Sequence, residues 1–135
     1  PMSRGLGDVY KRQVAVRVSF AQIHADIIAP NCLGMGCHEG DFPAGGVNLE
    51  TEAVAHSQLV DIAPLNAVAL DMGMLRVDPG APDNSFFLTK LTLDSAFDSM
   101  FAGRMPQGQA PLSPAHIEAV RAWILRGAPA EDVTE

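Results

Sequence analysis

Basic residues and cysteines are both scarce in this chain. Nine Lys and Arg stand against sixteen Asp and Glu, a net charge of -7 with the four His neutral. A surface of that sign repels phosphate backbones and anionic headgroups, which argues against nucleic acid and charged membranes as partners. Long apolar runs are lacking too. A membrane span needs about 18 consecutive apolar residues, and the nearest approach, residues 60–75, is interrupted by Asp61, Pro64, Asn66 and Asp71. Aromatic residues are few, with six Phe, one Trp and one Tyr among 135 residues. A domain this small buries a modest fraction of its surface, so a metal, a disulfide or a bound cofactor is expected to complete its interior.

What remains is enough for one globular domain: 47% of residues are hydrophobic and 19% charged, outside the range of disordered chains. Residues 1–13 lack apolar periodicity and resemble a translated sequencing adapter, so they are set apart as a non-native or disordered leader. The rest, residues 14–135, reads as a single domain with its core at about 19–128. Phe20, Ile23, Ile27 and Ile28 recur on one helical face, with Ser19 and Gln22 placed as a capping box. Pro30 is expected to end this helix, leaving Ile27 and Ile28 facing whatever the next loop holds. Thr51 can cap a short helix carrying Val54, Ala55 and Leu59, and residues 60–76 are ambiguous because of Pro64 and Gly73. A turn follows at Val77-Asp78-Pro79-Gly80. Beyond it, Asp83, Asn84 or Ser85 can cap a helix on which Phe87, Leu88 and Leu91 share a face. The clearest element starts at Ser113 and Pro114, carries Ile117, Val120, Trp123 and Ile124 as a stripe, and stops at Gly127, with Arg121 and Arg126 near its negative end. The pattern contains neither an internal repeat nor a useful alternating stretch, and predicts an all-helical fold with long, proline-pinned loops.

Both cysteines fall in the run Asn31-Cys32-Leu33-Gly34-Met35-Gly36-Cys37-His38. Two thiols can add across the two vinyl groups of a haem, and a histidine directly after the second is then held beneath the ring, where its imidazole can bind iron. Gly34 and Gly36 give the backbone freedom to aim both sulfurs at one ring. The second ring nitrogen of His38 should be tied to a backbone carbonyl, at Pro43 or near it. Other chemistry suits the same residues: a Cys32–Cys37 disulfide, or a zinc site with His38 and a remote ligand. Across the iron, Met105 is the best candidate, because Arg104-Met105-Pro106 is an irregular segment and proline biases the residue before it towards extended backbone. Met72, Met74 and Met100 read as core or pocket wall. His24 lies between apolar positions, His56 on a solvent face and His116 at the surface, and the remaining acids, Asp78 among them, read as solvated.

Taken together, the Cys32 to His38 run, the Val77-Asp78-Pro79-Gly80 turn with Ser85, Arg104-Met105-Pro106, and Leu112-Ser113-Pro114 leading to Arg121-Ala122-Trp123-Ile124 resemble the small c-type cytochrome domains of exported bacterial proteins. Four residues separate the cysteines where the usual motif has two, a variant also seen in similar domains. The resemblance implies a cytochrome c-like fold of three to five short helices around one haem c. Cys32 and Cys37 would attach the haem, His38 and Met105 would be its axial ligands, and Trp123 would pack at its edge. It further implies electron transfer in a periplasmic or exported setting, and the acidic surface predicts a redox partner that docks through a basic patch. A haem domain with an open distal site, peroxidase-like or gas-sensing, is the alternative, and a non-haem module closed by a Cys32–Cys37 disulfide is another.

Overall fold

The computed structural model describes residues 18–34, 37–41, 43–94 and 100–131. The leader expected at 1–13 lies outside the described residues, as do Met35 and Gly36. The described part is all-helical. Helix α1 is one continuous run made of Phe20–Ile23, a π-helical turn at His24–Ile28, and Ala29–Cys32. Helices α2 (Glu52–Leu59), α3 (Ala67–Asp71), α4 (Phe86–Thr92) and α5 (Pro114–Leu125) follow, with short 3-10 turns at Ala44–Gly46 and Pro82–Asn84. Among the described residues pairing of β type is limited to isolated parallel bridges, Val60 with Val77 and Leu75 with Ser85. No helix among them is long and apolar enough to cross a membrane.

Side-chain caps start most of these helices where the sequence places them. Ser19 accepts the Gln22 amide at 3.1 Å, Thr51 that of Val54 at 3.2 Å and Ser113 that of His116 at 3.2 Å, each satisfying a donor that the first turn leaves open. Asn66 does the same for Ala69 at 2.9 Å, giving the ambiguous stretch a short helix. Helix α4 is different. Its N-cap Ser85 is fully buried and makes no capping bond; instead its hydroxyl accepts the Asp78 amide and donates to the Ala81 carbonyl, both at 2.9 Å. That closes the proline turn, and Gly80 then donates its amide to the Ile124 carbonyl of α5 at 2.7 Å. Asp78 is half-buried and accepts from Asn84 at 2.9 Å, so it is more than the solvated acid expected.

Pro30 does not end α1. The helix runs on to Cys32, and the π turn just before Pro30 is the reason. A proline has no N–H and its ring crowds the carbonyl four residues back, whereas the wider π turn shifts the bonding by one residue, with Ala29 donating to His24.

The core is built around rings. Phe20 and Trp123 stack at 4.7 Å between centroids, and His56 meets Phe20 edge-on at 5.4 Å, geometry that adds about 0.5–1.5 kcal/mol per aromatic pair to simple burial. The indole N–H donates to the Pro129 carbonyl and His56 Nε2 bonds the Ala128 carbonyl, both at 2.9 Å. His56 is therefore a partly buried bridge between α2 and the chain after α5, not a residue of a solvent face. Ile23, Ile27, Ile28, Leu88, Leu91, Val120 and Ile124 complete this core. A smaller cluster joins Ala69, Met74 and Phe101, with Phe86 edge-on to Phe101 at 5.5 Å. Met72 and Met100, expected in the core or pocket wall, are 60% and 55% exposed.

Candidate functional site

Cys32 closes α1 and is buried; Cys37 is exposed, and both are free thiols. Backbone bonds tie the two ends of the run together: Cys37 donates to the Gly34 carbonyl at 2.9 Å and His38 to that of Cys32 at 3.2 Å. Gly34 has φ of +135°, a backbone state that side chains disfavour. Burial, with a further contribution from Cys37, pushes the Cys32 thiol up to about 11.

His38 is fixed from both sides. Its amide and carbonyl bond Cys32 and Leu49, and its Nδ1 lies 3.1 Å from the Val47 carbonyl. A carbonyl oxygen only accepts, so Nδ1 is the donor, and in the neutral ring the lone pair is then on Nε2. Holding one ring nitrogen this way sets the tautomer and the ring plane of a metal-binding imidazole. The carbonyl belongs to Val47, a few residues beyond the one expected at Pro43. His24 braces the same segment through Leu49, Nε2 to carbonyl at 2.8 Å.

Met105 arrives from the other side of the chain, half-buried, with its amide donating to the Lys90 carbonyl at 2.8 Å. Next to it, Arg104 donates to the carbonyls of Leu93 and Asp94, anchoring this loop to the end of α4.

These residues share one cavity of about 510 Å³, a volume within the roughly 300–1,000 Å³ of small-molecule and cofactor sites. Cys32, Cys37, His38 and Met105 all line it, and Val47, Leu49, Leu59, Phe86, Phe87 and Leu91 make its wall apolar. Among the described residues the exposed ones that line it, Cys37, Gly45, Leu65, Ala102, Gln107 and Gln109, bring no Asp, Glu, Lys or Arg. Trp123, expected at the edge of the bound group, does not line the cavity; its indole is used up in the ring stack with Phe20. Ile27 and Ile28 likewise face the core and not the cavity. No family model, no curated protein and no solved structure matches the chain.

Two cations line the cavity that the sequence reading passed over. Arg76 is only 8% exposed, donates to the Gln58 carbonyl at 2.9 Å, and is held by backbone bonds to Ile62 on one side and Phe87 on the other. Burial lowers its pKa from the usual arginine value, and no carboxylate pairs with it among the described residues. Lys90 donates to the carbonyls of Phe101 and Gly103 at 2.7 and 2.6 Å. The signal for both was present, a lone cation inside an apolar run: Arg76 between Leu75 and Val77, Lys90 between Leu88 and Leu91. Among the described residues no three His, Cys, Asp or Glu side chains converge as a metal-holding group, so a zinc site lacks a donor set there.

Proposed function

We propose that the cavity holds one haem, attached through Cys32 and Cys37, and that the domain transfers electrons in the manner of a small c-type cytochrome. One observation carries this reading: the four side chains that the sequence assigns to such a site, from segments nearly seventy positions apart, line a single apolar cavity. The residues suit the group chemically as well. Two thiols are there to form thioethers, His38 offers Nε2 with its other nitrogen already committed, and Met105 offers a thioether sulfur. A buried guanidinium is costly without an anion, and Arg76 would meet a carboxylate of the haem.

When bound, haem iron supplies a one-electron couple. The chain's own part would be to hold the group through the His38 imidazole and the Met105 thioether, so that little rearranges with each electron. A neutral thioether beside an imidazole would favour the reduced metal, and the apolar wall would keep water away, both of which would raise the potential. The uncharged opening would allow close approach of a redox partner, while the acidic remainder of the surface would attract one with a basic docking patch. Raising the ionic strength should weaken that encounter. Thioether formation implies a periplasmic or exported setting.

The test is a denaturing gel of the chain exported together with a haem-maturation system and stained for haem peroxidase activity. A stained band at the chain's size is expected, lost in the Cys32→Ala/Cys37→Ala double variant. A wild-type chain that never stains leaves the disulfide-closed module as the better reading.

A further inference from the structure

A helix end leaves its last four carbonyls without partners inside the helix, and a lysine there can turn back to them. Lys90 lies in the last turn of α4 and does something else. Its ammonium reaches out to the carbonyls of Phe101 and Gly103, with the Phe86 ring 5.9 Å away. Its own carbonyl, one of those the helix leaves open, accepts the amide of Met105. Lys90 thus meets a non-helical loop at positions 101 and 103 through its side chain and at 105 through its backbone. Ala102 and Gly103 both have positive φ, +65° and +89°, so this segment follows neither a helix nor a strand and has no repeating ladder to hold its shape. An ammonium at the edge of an apolar cavity loses hydration, and charge-assisted bonds to two carbonyls offset that loss.

We propose that Lys90 is the positioning residue for Met105, holding the loop so that the methionine sulfur faces the cavity. This rests on the reading of Met105 as the distal ligand of a haem. Lys90 touches no reacting atom in this role. It lowers the freedom of the loop that carries the ligand, and the binding-competent arrangement is populated before any ligand bond forms.

The test uses the haem-loaded chain with Lys90→Met and Lys90→Arg, and Met105→Ala as the reference for a lost distal ligand. Lys90→Met should keep its covalent haem while losing most of the long-wavelength charge-transfer band of methionine-ligated ferric haem. Its reduced form should bind carbon monoxide about tenfold or more tightly than wild type, and its Met105 amide should exchange about tenfold or more faster, since breaking even one such bond changes an equilibrium by that factor. Lys90→Arg, whose guanidinium can also donate to two carbonyls, should restore most of the band. Should Lys90→Met fail to fold, nitrogen NMR of the wild-type haem protein decides: slowly exchanging Lys90 ammonium protons support the grip, and free exchange overturns it. The proposal is overturned if Lys90→Met keeps the full band and wild-type resistance to carbon monoxide. It is also overturned if both Lys90 variants lose the distal ligand while Met105→Ala changes nothing, because Lys90 would then be a ligand itself. A chain without covalent haem is a different failure, that of the haem reading, and is detected first by the stained gel.

Discussion

The half of the molecule around Trp123 and the half around Cys32 solve the problem of burial in opposite ways. Around Trp123 every large side chain meets another: Phe20 stacks on the indole, His56 closes the edge, and the ring nitrogens of both Trp123 and His56 find carbonyls. Around Cys32 the apolar side chains face a hollow, and a thiol and a guanidinium are buried beside it with their ionisation displaced by that burial. Close-packed interiors hold few empty spaces of this size. One half is closed by its own side chains, whereas the other leaves a cavity lined by two thiols, an imidazole, a thioether and two cations.

Three perturbations act on that contrast. The largest belongs to the packed half, where Trp123→Ala should cost about 3–5 kcal/mol in denaturant unfolding of the haem-loaded chain without changing the amount of covalent haem. Equal loss of haem would show the two halves to be one unit. Next comes the Cys32 thiol, whose ordinary value of 9.0 rises to about 11 in the fold. A raised pKa means the folded state holds the proton more firmly, so this stability is full below about pH 9 and is lost as pH climbs towards 11. The haem-free chain should therefore lose about 2–3 kcal/mol over that interval, followed by unfolding at a series of pH values. Cys32→Ala should flatten the profile, and so should haem attachment, since a thioether has no proton to lose. The smallest effect is expected of Arg76→Met. It should cost the haem-loaded chain about 1.5–3 kcal/mol and leave the haem-free chain unchanged or slightly more stable, because an unpaired buried cation is better replaced by an apolar group. Equal destabilisation of both forms would mean that Arg76 serves packing alone.

Much of the packed half was legible in the sequence because its signals are local. Ser113, Pro114 and Gly127 bracket α5, and the stripe of Val120, Trp123 and Ile124 is buried as the helical period requires. The same holds for Phe20, Ile23, Ile27 and Ile28 on α1. Periodicity says which side chains are buried and not what they are buried against, so it leaves Ile27 and Ile28 free to face the loop when they belong to the core; Trp123 on its stripe reads as core and lies there, its place beside a bound group being what the resemblance implies. Pro30 reads as a stop because a π turn leaves no mark in a single sequence. Arg126 reads as a partner of the α5 dipole, and its guanidinium donates to the carbonyl of Val18, 108 positions away, a contact that no local pattern encodes. In the site, Cys32, Cys37, His38 and Met105 were legible as residue types whose chemistry is specific. Arg76 and Lys90 were missed because their parts depend on carbonyls brought near by folding.

The central claim is that a porphyrin is joined to this chain through sulfur. The most direct measurement is the reduced alkaline pyridine spectrum of the exported, purified protein, in which each vinyl group consumed by a thiol shifts the main band to shorter wavelength. One haem per chain is expected, with both vinyl groups consumed. A spectrum without haem absorption, from protein exported through a working maturation system, would contradict it.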